Sequence, residues 1–375
     1  MRTHPITYFY ILFNLGHSLL SSSFLWAQSP QELFHQWDQD KDAQLTHNEL
    51  PKFAQKNFIQ VDQNRNGSIS LDEHVNFLTP KNKITKGNEE GIQILSNFPY
   101  AENQNPRQSL DLIIPAKTSS QKKLPLIVWI HGGGWKNGDK RSGLVPSRIP
   151  ALVKTGRYIG ATIAYRLSGE AQWPAQIHDC KAAIRWLRGN ADQYGIDPKR
   201  IAVWGSSAGG HLVSMLGVSH GVKELEGKIG NHTDQSSRVH AVINYYGPSA
   251  LLQMDDHPSK IIHNAPDSPE SQLIGGPIQE NRKKTKQASP LHHVSKDDSI
   301  FIHFHGTDDP LVPYHQSVIF HQALQKKGAT SQLITVEKGG HSMPAIYTQK
   351  KVIPFLDYIL YKESPTSADQ IIPLK

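Results

Sequence analysis

The chain has 375 residues, of which 37% are hydrophobic and 19% charged, with a formal net charge of +7 and one cysteine. This apolar fraction is sufficient for a packed core and excludes a wholly disordered chain. A single cysteine excludes an intrachain disulfide framework and any multi-cysteine zinc or iron–sulfur site. The positive charges are scattered, and the densest basic run, Lys283 to Lys286, is interpreted as a solvated loop. We therefore expect no nucleic-acid partner.

Residues 1–27 have the pattern of a secretory signal peptide. A basic start at Arg2 is followed by an apolar centre, and the segment ends at the small residue Ala27. A retained anchor helix is the alternative, but Gly16 and the serines 21–23 interrupt the apolar run. No other stretch approaches the roughly 18 apolar residues of a membrane span. We expect a secreted or periplasmic protein with no stable membrane insertion after signal removal.

Residues 28–80 contain two copies of an acidic loop and carry eight acidic against four basic residues. Ca²⁺ takes about six to eight oxygen ligands, which a loop of about 12 residues supplies from positions 1, 3, 5, 7 and 12. The candidate ligands are Asp38, Asp40, Asp42, Gln44 and Glu49 in the first loop and Asp62, Asn64, Asn66, Ser68 and Glu73 in the second. This pattern resembles a paired EF-hand, and the resemblance implies bound Ca²⁺.

Three residues of these loops bear on how the pair folds and binds. Leu45 and Ile69 stand at position 8, where an apolar residue allows paired loops to form a short β contact. The first loop has Ala43 where the sharp turn prefers glycine, and the second loop has only two carboxylates. We therefore expect weak Ca²⁺ binding, with sites that are filled at the calcium concentrations found outside cells. The alternative is an acidic helix–loop pair that binds no metal.

Beyond residue 108, apolar β-branched runs alternate with helical patterns. The predicted strands are 110–114, 124–130, 158–164, 201–204, 241–246, 300–304 and 333–336. The clearest predicted helix has Ile177, Cys180, Ile184 and Leu187 on one face and ends at Gly189. Cys180 is therefore interpreted as a small core residue. This alternation predicts an α/β fold, with a mostly parallel sheet covered by helices on both faces.

A glycine-flanked serine motif, Gly205-Ser206-Ser207-Ala208-Gly209, follows the strand 201–204 and opens the next helix. In this strand–turn–helix setting, G-x-S-x-G presents its central serine above the sheet on a strained turn. Ser207 is the predicted nucleophile, and Ser206 is interpreted as its structural neighbour.

A glycine run, His131-Gly132-Gly133-Gly134-Trp135, follows the strand 124–130. Glycines permit unusual dihedral angles, so backbone N–H groups of such a loop can point into a site. A phosphate-binding loop is the alternative, but the lysine and the spacing of a P-loop are missing. We predict an oxyanion hole, whose N–H donors stabilise the negative charge that develops during acyl transfer.

A serine hydroxyl is a weak nucleophile and needs a general base and a group that orients the base. Asp308 and Asp309 follow the strand 300–304, and position alone leaves both open as the orienting acid. His341 is the predicted base because it follows the last predicted strand on a Gly-Gly turn. The other histidines near these strands, interpreted as surface or structural residues, are His303, His305, His315 and His321. Serine, aspartate and histidine stand in the chain order expected of an α/β-hydrolase.

Together these motifs resemble the α/β-hydrolase superfamily over about residues 92–362. HGGGW resembles the hormone-sensitive-lipase-like branch, whereas GSSAGGHL, YRLSGEAQWPAQIHDCKAAIRWLR and HGTDDPLVP are more similar to secreted bacterial carbohydrate esterases of the feruloyl- and acetylxylan-esterase type. The residue roles that the resemblance implies are Asp309 as the acid, the amides of Gly133, Gly134 and Ala208 as oxyanion donors, and Trp135 on the acyl side of the pocket. The Pro- and His-rich stretch 248–296 is a candidate cover to which the sequence assigns no contacts.

The resemblance implies a secreted serine carboxylesterase that needs no cofactor for catalysis and takes a small ester or an acetylated or feruloylated polysaccharide. Two alternatives remain open, a peptidase or amidase with the same triad and a calcium-dependent binding protein on a hydrolase scaffold. The predicted organisation is a signal peptide (1–27), an EF-hand pair (28–80), a linker (81–107), an α/β-hydrolase domain (108–362) and a C-terminal tail (363–375).

Overall fold

The computed structural model describes residues 30–55, 57–62, 64–78, 86–89, 91–116, 122–364 and 368–374. The chain divides into two compact units, residues 1–81 and 82–375. The predicted signal peptide lies outside the described residues. Across the described ranges, no helix combines the length and the apolar character needed to cross a membrane.

The first unit contains two helix–loop segments joined by a short β contact. Its elements are α1 (Pro30–Trp37), β1 (Gln44–Leu45), α2 (Lys52–Gln55), α3 (Phe58–Val61), β2 (Ile69–Ser70) and α4 (Leu71–Leu78). The two strands are antiparallel, with Leu45 opposite Ile69, so the β contact predicted from loop position 8 is present. Phe34, Leu50 and Val61 pack with these two residues in a small buried core.

The second unit is built on a ten-stranded sheet. Its strands are β3 (Lys86–Glu89), β4 (Ile92–Pro99), β5 (Ser109–Pro115), β6 (Leu124–Ile130), β7 (Ile159–Ile163), β8 (Ile196–Ser206), β9 (Ala241–Tyr245), β10 (Ile300–Gly306), β11 (Ser331–Glu337) and β12 (Gln370–Pro373). Across the sheet the order is β12-β11-β10-β9-β8-β6-β7-β5-β4-β3. Pairing is parallel from β12 to β7 and antiparallel from β7 to β3. The mostly parallel sheet and its predicted strands are confirmed.

Helices cover both faces of this sheet. They are α5 (Ile149–Val153), α6 (Ala175–Gly189), α7 (Ala191–Tyr194), α8 (Ala208–Val218), α9 (Lys223–Glu226), α10 (Pro269–Ile274), α11 (Arg282–Gln287), α12 (His315–Lys326) and α13 (Ile353–Tyr361). Side chains of β6 alternate between two buried clusters, with Val128 packed in the cluster of α6 and α8 and Trp129 in that of α5 and α13. Cys180 on α6 is fully buried, which confirms its interpretation as a core residue.

The linker predicted over residues 81–107 contains two strands of the sheet, because β3 and β4 pair antiparallel there and β4 pairs with β5. The buried apolar residues of β4 are Ile92, Leu95 and Phe98, spaced by three instead of two. The register of the pair shifts between Leu95 and Phe98, and Asn97 has a φ of 69°. This β-bulge breaks the alternation by which a strand is recognised in a sequence.

The C-terminal tail predicted over residues 363–375 also contains a strand. β12 pairs in parallel with β11 and forms one edge of the sheet. The strand is short, and its residues are exposed or half-buried. An edge strand with little buried apolar surface has a weak sequence signal, because its pairing depends on a partner more than 30 residues away.

Candidate active site

Ser207 lies on the turn between β8 and α8 with a φ of 55° and a ψ of −123°. A positive φ is strained for a residue with a side chain, and such strain is concentrated at functional turns. The Ser207 N–H donates to the Tyr245 carbonyl over 2.9 Å, and the Ser207 carbonyl accepts from the His211 N–H over 2.9 Å. The turn also needs glycine at position 209, where a Cβ would lie 2.2 Å from the Ile130 carbonyl oxygen.

The glycine run after β6 approaches this turn. Gly133 has a φ of 108° and Gly134 a φ of 58°. The backbone N–H groups of Gly133, Gly134 and Ala208 donate to no protein acceptor within the described ranges, and the three residues line one cavity with Ser207. Unpaired N–H groups at a cavity are available to an external acceptor, as an oxyanion hole requires.

Asp309 and His341 follow the ends of β10 and β11. An Asp309 carboxylate oxygen (Oδ2) lies 2.7 Å from His341 Nδ1, whereas Asp308 is exposed. The other oxygen, Oδ1, accepts the backbone N–H groups of Leu311 and Val312 over 2.9 and 3.0 Å. Of the two aspartates that position alone left open, the structure therefore brings Asp309 to the histidine.

His305 also contacts this carboxylate, although the sequence indicated only a surface or structural role. Its Nε2 lies 3.2 Å from Asp309 Oδ2, and its Nδ1 lies 2.7 Å from the Ser317 hydroxyl. Burial raises the pKa of Asp309, but the hydrogen bonds from His305 and His341 outweigh burial and hold that pKa well below its usual range. The sequence signal for His305 is its place at the end of β10, the strand that precedes Asp309, four residues before that aspartate.

Ser207 and His341 line the same cavity, which has a volume of about 400 Å³. The ring of Tyr246 packs against His341, with ring centroids 4.5 Å apart. Trp135 also lines the cavity, and its indole N–H (Nε1) donates to His211 Nδ1 over 3.2 Å. The stretch 248–296, for which the sequence indicated no contacts, contributes Pro248, Ile261, Pro269 and Glu270 to the cavity wall.

A strained serine, a histidine bonded to a buried carboxylate and unpaired backbone donors meet at one cavity. They lie at the carboxyl ends of parallel strands, on a sheet that helices cover on both faces. The fold and this arrangement define an α/β-hydrolase.

Comparison with known proteins shows the family. The BD-FAE family model matches residues 110–324, more than half of the chain, and the chain belongs to this family. A solved structure described as a truncated form of a carbohydrate esterase from gut microbiota is 31% identical, with a TM-score of 0.65, over 75% of this chain and 98% of that one. A bifunctional GH43-CE protein of Bacteroides eggerthii is 30% identical, with a TM-score of 0.65, over 72% of this chain and 38% of that one.

Two curated proteins of Mycobacterium tuberculosis are also similar. The probable carboxylic ester hydrolase LipM is 30% identical over 236 residues, which are 62% of this chain and 49% of LipM. Esterase LipC is 29% identical over 223 residues, which are 59% of this chain and 53% of LipC. The chain thus spans about half the length of these relatives.

The first unit holds a cluster of carboxylates. Asp38, Asp40 and Asp42 each have an oxygen within 4.8 Å of the others. Asp38 is buried, and its Oδ1 has no hydrogen-bond partner among the described residues. A buried carboxylate oxygen without a donor is costly unless a cation pairs with it, so the first loop fits a hard cation such as Ca²⁺.

The second loop follows the same backbone course. Ala43 and Gly67 have φ values of 64° and 89°, and their N–H groups donate to Asp38 Oδ2 and Asp62 Oδ2 over 3.1 and 2.9 Å. The Ser68 hydroxyl donates across the pair to the Gln44 side chain over 2.9 Å. The remaining candidate ligands, whose oxygens accept loop backbone N–H groups, are Asp40, Asp42, Glu49, Asn64, Asn66 and Glu73.

Proposed function

We propose that this protein is a serine esterase in which Ser207 is the nucleophile, His341 the general base and Asp309 the acid that orients the base. The observation that carries the proposal is the 2.7 Å hydrogen bond between Asp309 Oδ2 and His341 Nδ1, at a cavity shared with the strained Ser207. With Nδ1 engaged by the aspartate, Nε2 of the histidine is the nitrogen that accepts the serine proton.

The reaction follows from these positions. Ser207 Oγ attacks the ester carbonyl carbon while His341 Nε2 takes its proton. The N–H groups of Gly133, Gly134 and Ala208 stabilise the negative oxygen of the tetrahedral intermediate. His341 then gives the proton to the leaving alcohol, and an acyl-enzyme remains. A water that loses a proton to the same histidine then attacks the acyl-enzyme carbonyl carbon. The second tetrahedral intermediate collapses and releases the acid, and His341 returns the proton to Ser207 Oγ.

Hydrolysis of p-nitrophenyl acetate tests this mechanism. We expect the wild-type protein to be active and Ser207→Ala to lose at least about 10⁴-fold in kcat, because no other group supplies the nucleophile. Ser214→Ala is the matched control, since the hydroxyl of this buried serine of α8 donates to the Gly210 carbonyl within the same helix; it should remain within about threefold of wild type. Equal activity in wild type and Ser207→Ala, or none in either, contradicts the mechanism and favours a binding protein on a hydrolase scaffold.

We further propose an acetylated or feruloylated carbohydrate as the natural substrate. The support is the 31% identity to a structure described as a carbohydrate esterase. Release of acetate from acetylated xylan and of ferulate from feruloylated arabinoxylan would be compared with hydrolysis of p-nitrophenyl butyrate. Turnover of the alkyl ester with no release from either glycan contradicts this substrate class.

The first unit is proposed to bind Ca²⁺ through the ten candidate ligands of its two loops. We expect calorimetric titration to give dissociation constants of about 10⁻⁴–10⁻³ M, and Asp38→Asn to weaken binding at the first loop. Asp72→Asn is the control, because this exposed acid lies on α4 outside the ligand set. Absence of Ca²⁺-dependent heat in the wild-type protein contradicts the proposal.

Export by residues 1–27 is likewise a proposal, and it rests on their sequence pattern. N-terminal sequencing of protein recovered from the periplasm or culture medium of a bacterial host should find a start near residue 28. Retention of the uncut chain in the cytoplasm contradicts export.

A further inference from the structure

One wall of the cavity contains a glutamate that the proposed mechanism does not use. Pro269, at the start of α10, packs on the glycine run, because a Cβ placed on Gly134 would lie 3.1 Å from Pro269 Cβ. The next residue, Glu270, lines the same cavity as Ser207. The packing of Pro269 against the glycine run thus accompanies the place of Glu270 in the wall of this cavity.

Glu270 is buried and incompletely paired. The residue is only 3% exposed, and its Oε2 lies 3.0 Å from Nδ1 of the fully buried His263. The contact is poorly aligned, so that neither atom has a hydrogen-bond partner of good geometry among the described residues. Burying a carboxylate without its full set of donors is costly. Oε2 itself is closed off from solvent, so a ligand in the cavity offsets part of this cost by donating to the other carboxylate oxygen, Oε1.

The loop before α10 holds the pair in place. The His263 N–H donates to Asp255 Oδ1 over 2.7 Å, and His263 Nε2 lies 3.2 Å from the Ser259 hydroxyl. The His263 carbonyl accepts the Ser268 hydroxyl over 2.6 Å. The two backbone bonds fix the loop, and the contact with Ser259 holds the imidazole against which Glu270 rests, as a preorganised binding group requires.

A carboxylate accepts hydrogen bonds and donates none, so Glu270 selects a substrate that carries a donor. We propose that it binds a hydroxyl group in the alcohol portion of the substrate, so that the site favours esters of polyols, sugars among them, over esters of simple alcohols. The acetyl group carries no donor, and Lys136 on the same cavity disfavours a cationic substrate. The inference rests on the ester hydrolysis proposed above.

A matched pair of substrates tests this inference. The esters 2-hydroxyethyl acetate and 2-methoxyethyl acetate differ by one methyl group, which replaces the hydroxyl hydrogen and removes the donor. Their kcat/KM ratio cancels general effects on folding and catalysis, and the same ratio in Glu270→Ala accounts for the bulk of the methyl group. We expect a wild-type ratio of about 10–100, the value of a hydrogen bond to a charged group. In Glu270→Ala the ratio should fall to about 1, and in Glu270→Gln, which keeps an acceptor, to an intermediate value.

Glu280→Gln is the matched control, because this exposed glutamate belongs to the same stretch and should leave the ratio at the wild-type value. A wild-type ratio near 1, or an unchanged ratio in Glu270→Ala, overturns the inference. The third substrate, 2-(dimethylamino)ethyl acetate, separates a hydroxyl from an ammonium group. The hydroxyl proposal is wrong if the wild-type protein prefers this amine ester to the other two acetates and if Glu270→Gln loses the preference as fully as Glu270→Ala. In that case the site recognises a cation.

A binding measurement separates this inference from the proposed function. Xylotriose would be titrated into Ser207→Ala and into the double variant Ser207→Ala/Glu270→Ala, with ligand line broadening followed by NMR. If the wild-type protein hydrolyses no ester, the proposed function fails, and binding alone decides the role of Glu270. Weaker binding by the double variant supports the polyol site, whereas equal binding by both proteins overturns it.

Discussion

At the scale of single residues, the candidate site is organised around the Asp309 carboxylate. One oxygen accepts two backbone N–H groups, and the other contacts the imidazoles of His341 and His305. This set of donors offsets the burial of the charge and fixes the direction in which the carboxylate faces His341. Asp308, although adjacent, is exposed and bonds to the Thr307 hydroxyl.

We therefore predict opposite outcomes for two neighbouring substitutions. Asp309→Asn should lower kcat for p-nitrophenyl acetate by about 10⁴-fold, because the amide stabilises the wrong tautomer of His341. Asp308→Asn should stay within about threefold of wild type. The same steady-state assay measures both variants. A large loss in Asp308→Asn with an active Asp309→Asn would reverse the assignment of the acid.

At the scale of elements, α8 connects the glycine run to the stretch 248–296 through His211. Its Nδ1 accepts the Trp135 indole N–H over 3.2 Å, and its Nε2–H donates to the Ala288 carbonyl over 2.6 Å. Both bonds require the neutral imidazole with its proton on Nε2. Burial lowers the pKa of His211 to about 4. The two hydrogen bonds of His211 therefore cannot both persist when acid protonates the ring.

We predict that acid destabilises the protein partly through His211. An unfolded histidine takes up a proton near pH 6.5, whereas folded His211 stays neutral down to about pH 4. Stability is therefore lost as the pH falls from about 6.5 to about 4, with about 2 kcal/mol lost by pH 5. His211→Gln cannot titrate, and its free energy of unfolding should change about 2 kcal/mol less between pH 7 and pH 5.

Urea unfolding at the two pH values measures this difference. Loss of the His211 hydrogen bonds lowers the stability of the variant at both pH values, so only the change with pH is diagnostic. An unaltered pH dependence in His211→Gln would show that this residue does not contribute to acid destabilisation.

At the scale of the whole molecule, the parallel strands bring distant residues to one edge of the sheet. Ser207, Asp309 and His341 follow β8, β10 and β11, and these strands lie close together in the sheet order. The far side of β11 is covered by β12, whose neighbour Asp369 accepts the Leu333 N–H over 2.8 Å. Without β12, the strand that precedes the proposed base would have an open edge.

We predict that deletion of residues 364–375 destabilises the sheet. The truncated protein should melt several degrees lower, since about 1 kcal/mol shifts the midpoint of a large domain by about 2–4 °C. It should also associate through the exposed edge of β11. Calorimetry and light scattering measure the two effects. Ile371→Ser, at an exposed position of β12, is the control, and a truncated protein that behaves like it would contradict the structural role of β12.

The sequence by itself determined the features that depend on neighbouring residues. The period of apolar residues predicted the buried strands and α6, and the glycines around Ser207 predicted the strained turn, because periodicity and turn chemistry are local. The strands β3, β4 and β12 were missed. A bulge broke the alternation of β4, and β12 has little buried surface of its own.

Only the tertiary structure decided which groups meet. Position in the sequence left Asp308 and Asp309 open, and only the family resemblance favoured Asp309. The contact of His305 with that carboxylate and the place of Glu270 in the cavity wall had no signal that assigned them. Each depends on segments that are brought together only when the sheet is complete. Hydrogen bonds and ion pairs act over a few ångströms in space, and the chain order of residues does not specify such distances between separate elements.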